Sequence, residues 1–168
     1  RYVAEFNFGF NGSENFAKGS RYGFFPSGAI GWLLSEEPFM EPFKETFSKI
    51  KLRGSYGLVG NDNIGGTRFA YLTTIGDTGG YQWGNDADYG RSGKWEGNVG
   101  VTNLTWETVK KGNIGLELGL WNSLDIQIDL FKDRRENIFL QRSTLPGSAG
   151  FIQTPWQNFG VVVNRGTD

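Results

Sequence analysis

The sequence predicts an all-β fold: an antiparallel transmembrane β-barrel segment, about six strands of a large barrel, with long extracellular loops and one short helix in a periplasmic connection. Three observations lead there. Apolar residues recur at every second position in several stretches of roughly ten residues, the length at which a tilted strand crosses a bilayer. The connections between these stretches alternate between compact and long, as periplasmic turns and extracellular loops do in outer-membrane barrels, whereas a soluble sandwich has no reason to sort its loops. Finally, 26 glycines and 15% aromatic residues accompany only 38% hydrophobic residues. That balance suits strands whose two faces meet different solvents.

Tyr2 to Asn11 carries its apolar residues at even positions and mostly small or polar ones at odd positions, a strand with one greasy face. Gly12 to Ser20 is polar and reads as a loop. Arg21 to Leu34 extends again, with Tyr22, Phe24, Ile30, Trp32 and Leu34 on one side, although Pro26, Gly28 and Gly31 weaken it as a strand. Ser35-Glu36-Glu37-Pro38 has a capping hydroxyl, early acids and an early proline, so a short helix is expected. Phe39, Phe43 and Phe47 would share its packed face at intervals of four. From Ile50 the period returns to two: Ile50, Leu52, Tyr56 and Leu58 face one way, Lys51, Arg53 and Ser55 the other.

Asn61 to Asn103 shows no sustained period and is rich in Gly, Asp and Asn, so it reads as one long loop, of the kind that is usually functional or disordered. Its Tyr81, Trp83, Tyr89 and Trp95 offer flat faces with polar edges, suited to stacking on sugar rings or peptide side chains. They are the candidate contacts for a cargo or a lid protein, against the plainer reading of packing between loops.

The clearest pattern is a hairpin. Ile114, Leu116, Leu118 and Leu120 alternate with Asn113, Gly115, Glu117 and Gly119; Trp121-Asn122-Ser123 turns the chain; Leu124, Ile126, Ile128 and Leu130 alternate with Asp125, Gln127 and Asp129. A short turn preserves the parity of the pleat. Leu118 should therefore sit opposite Ile126, Leu120 opposite Leu124, Glu117 beside Gln127 and Gly119 beside Asp125. Ser143 to Asn158 is polar again and leads to Val161-Val162-Val163.

The acids and glycines on one face of this hairpin suit a wet lumen, and the aliphatic face opposite suits lipid, with Leu116, Leu118, Ile126 and Ile128 at mid-strand. The first charges above that apolar face, Lys110, Lys132 and Arg134, lie about ten to twelve residues from Asn122, near the span of a tilted membrane strand. Trp121 would then join an aromatic girdle at one interface, and the cations would meet headgroup phosphates at the other.

Other chemistries find little support. With neither cysteine nor histidine, thiol nucleophiles, imidazole bases and the usual zinc sites are excluded. A net charge of -1 without a basic tract argues against nucleic acid. Asp86-Ala87-Asp88 lacks the glycine and terminal glutamate of a calcium loop. Gly57 to Gly66 lacks the lysine and hydroxyl of a phosphate loop. Glu5, Glu117 and Asp129 lie on strand faces with no pocket to bring them together for acid–base work. No catalytic residue, metal or cofactor is expected, and an enzyme is not.

Several stretches carry a resemblance to a known family. Gly23-Phe24-Phe25-Pro26-Ser27, then Gly31-Trp32 and Ser35-Glu36-Glu37, resembles a stretch typical of SusC/RagA-type TonB-dependent transporters. Lys51-Leu52-Arg53-Gly54-Ser55-Tyr56-Gly57 with Gly60-Asn61, Leu104-Thr105-Trp106-Glu107-Thr108 with Asn113-Ile114-Gly115, and Asn158-Phe159-Gly160 with Asn164-Arg165-Gly166 continue it in order. Each block is weak alone; four in register are specific. Leu33 stands where the family often has a basic residue, and Thr102-Asn103 where Asn-Pro is common.

The resemblance implies that residues 1–168 belong to the barrel domain of about 22 strands in a bacterial outer-membrane transporter, with the plug domain and the TonB-contacting segment absent from this fragment. It implies import of oligosaccharides or peptides together with a SusD-like surface lipoprotein, driven through TonB by way of those absent N-terminal segments. Two rivals remain at this point: a siderophore-type TonB-dependent receptor with the same barrel, and a soluble carbohydrate-binding β-sandwich, in which a second sheet would cover the apolar face.

Overall fold

The computed structural model describes residues 1–65, 68–85, 89–150 and 154–168. Among the described residues eight strands form: β1 (Tyr2–Gly12), β2 (Tyr22–Leu33), β3 (Phe47–Asn61), β4 (Ile75–Trp83), β5 (Tyr89–Glu96), β6 (Glu107–Leu120), β7 (Leu124–Gln141) and β8 (Trp156–Thr167). Six of them make one antiparallel sheet in the order β1-β2-β3-β6-β7-β8, and β4 pairs with β5 in a separate two-stranded sheet. The sheet is open within this chain. Among the described residues no second sheet covers its apolar face.

Apart from a bulge at the start of β3, between Phe47 and Lys49, parity is kept across the first five strands of that sheet. Phe6 lies opposite Gly28, Gly28 opposite Tyr56, Tyr56 opposite Gly112 and Gly112 opposite Lys132, so the apolar positions identified along each strand share one face. The expected hairpin register holds: Leu118 pairs with Ile126, Leu120 with Leu124, Glu117 with Gln127 and Gly119 with Asp125. Its turn is tight because Trp121 and Asn122 both adopt left-handed backbone, φ 49° and 53°, while Ser123 N–H donates to Leu120 O at 3.0 Å. That primed geometry matches the twist of a hairpin. Asn tolerates it readily; for Trp it is strained.

Pro26 does not break β2. The Leu33 N–H donates to Arg1 O on the β1 side, so alternation points the even residues of β2, Pro26 included, toward β3. Pairing with β3 begins at Ser27, so the missing donor of Pro26 lies just outside that ladder. Between β7 and β8 the register shifts around Asn137, whose φ of 58° marks a bulge.

Two expectations need correction. Between β2 and β3 the short helix is present, but as two 3-10 segments, Leu34–Glu36 and Pro38–Phe43, that do not stack Phe39, Phe43 and Phe47, since Phe47 already opens β3. Pro42 lies inside the second turn and removes a backbone donor, and the tighter coil does not align residues four apart. Phe39 and Phe43 are exposed rather than packed. The stretch Asn61–Asn103 is likewise not structureless: β3 extends through Asn61, and β4 and β5 form a hairpin within it. Glycines conceal its period. A Cβ at Gly80, φ 74°, would lie 1.8 Å from Arg91 O, so the bulge there admits only glycine.

The long connections all emerge at one end of the sheet, the compact ones at the other, as the antiparallel order requires. At the long-loop end Phe16, Phe25, Ile64, Val101, Leu104 and Trp106 form the buried core, with Tyr71 and Phe139 packed against it. Trp106 meets Phe16 at 5.1 Å and Phe25 at 5.3 Å between ring centroids.

Candidate transport surface

The inward face is built in rows of three across β3, β6 and β7: Lys49, Gly119 and Asp125; Lys51, Glu117 and Gln127; Arg53, Gly115 and Asp129. The side chains interlock. Lys49 and Lys51 reach Glu117 at 2.7 and 3.0 Å, and the Arg53 Nη2 donates to both carboxylate oxygens of Asp129 at 2.9 and 2.7 Å, where Gln127 also donates at 2.8 Å. Arg53 can cross a whole strand to Asp129 because Gly115 lies between them: a Cβ there would stand 2.5 Å from Arg53 Nε and 2.6 Å from Asp129 Oδ1. Higher on the same face Arg135 binds Glu107 at 2.9 Å, and Lys111 approaches Asp133 at 3.9 Å. The result is a mixed-charge, ion-paired wall. Its acids were visible in the sequence; their cationic partners were not assigned, because the loop between β3 and β6 hides that these strands are neighbours.

On the outward face Leu116 and Leu118 are half-buried, while Ile126 and Ile128 are exposed, and the surface continues through Ile114, Leu130, Tyr56, Ile30, Phe24, Phe8 and Phe6. Aromatic pairs stand at both ends of β1 and β2: Tyr2 on Trp32 at 6.0 Å, and Phe10 on Tyr22 at 5.4 Å. At the compact-turn end the Trp32 Nε1 donates to Glu37 Oε1 at 3.1 Å and Arg1 approaches Oε2 at 3.4 Å. The Trp32 hydrogen bond, aided by that of Tyr2 and then by the Arg1 charge, holds the Glu37 carboxyl below the usual range.

Three of the four loop aromatics come together. Trp83 lies directly opposite Tyr89, and Tyr81 is 5.2 Å from Trp83 between ring centroids, all exposed near the tip of the β4–β5 hairpin. Arg91, opposite Tyr81, belongs to the same face and was not singled out from the sequence, although its alternation with Tyr89 could have shown it. Trp95 is set apart at the hairpin base, beside Gly76. The Asp86-Ala87-Asp88 stretch lies outside the described residues. Glu5, Glu117 and Asp129 share the inward face, but the three do not meet: Glu5 binds Asn7 on its own strand, while Arg53 bridges Glu117 and Asp129 at 3.6 and 2.7 Å.

Two motif blocks now have structural reasons. Asn158 accepts from the Thr105 N–H and donates to Thr105 O and Asn137 O, at 3.2, 3.1 and 2.8 Å, tying β8 to the segment before β6 and to the bulge of β7. Leu104 and Trp106 fill the loop core, and Glu107 holds Arg135 and Asn61.

Strands of membrane-spanning length, one apolar face, one ion-paired face and loops sorted to one end define a wall segment of an outer-membrane β-barrel. Comparison with known proteins agrees. Residues 2–168 match the family described as TonB dependent receptor-like, beta-barrel. The chain is 33% identical over 172 residues to the TonB-dependent receptor SusC of Bacteroides thetaiotaomicron, covering 100% of this chain and 16% of that protein. With the TonB-dependent receptor P3 of Formosa agariphila it shares 32% over 167 residues, covering 99% and 16%. The solved structure of the RagAB peptide importer in its closed-closed state has the same fold, with a TM-score of 0.79 at 23% identity over 99% of this chain and 17% of that one. The chain thus spans about one-sixth of the length of these relatives. It belongs to the TonB-dependent receptor-like β-barrel family, and its similarity to SusC extends over the whole of this chain.

Proposed function

We propose that the full-length protein containing this chain is a TonB-dependent importer of oligosaccharides or peptides, working with a SusD-like surface lipoprotein and energised through TonB by a segment outside this stretch. The observation that carries the reading is the division of one sheet into an apolar and an ion-paired face, joined to the family match over residues 2–168. In this reading Leu116, Leu118, Ile126 and Ile128 face outer-membrane lipid, the Lys49–Asp129 rows line the lumen, and the Tyr81, Trp83, Tyr89 group, with Trp95 at its base, meets cargo or the lid. Similarity to SusC and to the RagAB peptide importer favours this cargo class over the siderophores of other TonB-dependent receptors.

The test is made in the full-length protein. A cysteine at Asn85, beside the hairpin tip, should react with an impermeant thiol reagent on intact cells; labelling only after outer-membrane rupture reverses the topology. Alanine at Tyr81, Trp83 and Tyr89 together should reduce uptake of a labelled oligosaccharide or peptide pool, or co-purification of the lipoprotein. If neither changes while the barrel still assembles, the hairpin has no part in transport.

A further inference from the structure

The outward face of β6, β7 and β8 carries a cluster of charge at the long-loop side of the apolar band. Lys110 lies opposite Arg134, and Lys132 opposite Arg165, all with the parity of Ile114 and Leu130. Across this surface only one carboxylate shares their face among the described residues. Glu136 already serves two cations, Lys110 at 2.6 Å and Arg134 at 2.6 Å. Lys132 and Arg165 face each other with no acid, because Asp133 and Asp129 point to the lumen side. Like charges directly opposite across a ladder repel. Around Lys132 the outward neighbours on both flanking strands are Gly112, Ile114, Lys110, Arg165, Val163 and Thr167, none of them acidic.

The height of the cluster says what neutralises it. Lys132 stands about ten residues above the Asn122 turn, roughly 33 Å along the strand and about 24 Å along the membrane normal at a tilt near 45°. That matches an apolar band about 25 Å tall. Gly112, between Lys132 and Tyr56, carries no side chain on this face, and Val163 lies one same-face pair further along β8 from Arg165.

We propose that Lys132 and Arg165, flanked by Arg134 and Lys110, form a binding site for the phosphate of a glycolipid in the outer leaflet, its acyl chains lying along Leu130 and Ile114. The placement rests on the outer-membrane position of the barrel and not on the cargo assigned above. Arg165 supplies a fork for two phosphate oxygens and Lys132 a point charge. A phosphate there relieves the repulsion between Lys132 and Arg165 that β6, β7 and β8 leave in place.

The experiment uses the full-length transporter in phosphatidylethanolamine nanodiscs containing a small fraction of bisphosphorylated lipid A, with bound lipid counted by native mass spectrometry. The parent should retain lipid A, and the double variant Lys132→Gln, Arg165→Gln should retain about tenfold less, while Lys132→Arg retains it. Dephosphorylated lipid A should not be retained. Folding of each variant is read from its heat-dependent gel mobility, and the single variants Lys132→Gln and Arg165→Gln serve if the double one does not assemble. Equal retention by parent and variants overturns the proposal. Displacement of the lipid by millimolar inorganic phosphate also overturns it, since the site is then one for a free anion.

Discussion

Gly115 offers the sharpest check on how the lumenal wall is built. Replacing it with alanine puts a methyl group 2.5 Å from Arg53 Nε and 2.6 Å from Asp129 Oδ1, about 1 Å inside normal contact, so the ion pair must part. Asp129 is 8% exposed and would keep only Gln127 as a side-chain donor. Losing a charge-assisted hydrogen bond in such a place costs about 1.5–3 kcal/mol. Against that, alanine reduces the freedom of the unfolded chain, which offsets about 0.4–1 kcal/mol. The net loss should be about 1–2 kcal/mol, read as a lowered urea midpoint at unchanged slope for the full-length protein in vesicles. Asp129→Asn should cost a similar amount, and the two changes together clearly less than their sum, because each removes the same pair. Additivity to within about 0.5 kcal/mol, or a Gly115→Ala variant more stable than the parent, would show that the glycine does not serve the Arg53–Asp129 pair.

Other consequences are as direct. Leu118→Arg should hinder assembly by about 2–4 kcal/mol as a mid-bilayer cation, while Gln127→Arg on the opposite face should assemble normally; equal tolerance in refolding yields would contradict the orientation of the sheet. Asn158→Ala removes three hydrogen bonds at the β7 bulge and should lower stability by about 2–3 kcal/mol, with faster amide exchange at Thr105 as its local signature. At the compact-turn end, the lowered pKa of Glu37 means that its ionised form stabilises the fold above the ordinary carboxylate range and that this contribution fades as pH falls through the folded value. A Glu37→Gln variant should therefore differ from the parent at neutral pH and converge with it in acid; a gap that widens on acidification refutes the assignment.

The strands, their faces and the β6–β7 register were legible in the sequence because period two and a short turn are local properties: parity carries from Leu120 to Leu124 without knowledge of any other strand. The compact connection before β3 was misread for an equally local reason. A four-residue recurrence of phenylalanine looks like a helix face, and only the path of the chain into β3 shows that Phe47 is already strand. Glycines at Gly76, Gly79 and Gly80 erased the alternation of β4, so the hairpin that gathers Tyr81, Trp83 and Tyr89 could not be seen from pattern. The residues of that group were legible; their convergence was not, since the chain must reverse between Trp83 and Tyr89 to bring them side by side.

What the sequence by itself determined is the chemistry of each face, because alternation sends apolar residues one way and polar residues the other whatever the neighbouring strand. What only the tertiary structure decided is who meets whom across strands. Arg53 and Asp129 are separated by 76 positions in sequence and two strands in space, and they pair because β3 and β6 become neighbours once residues 62–106 loop out and return at the same end. The same adjacency places Lys132 against Arg165, a pairing set by hydrogen-bond register and by the bulge at Asn137. Periodicity is written residue by residue; register between distant strands is settled by the fit of the whole sheet.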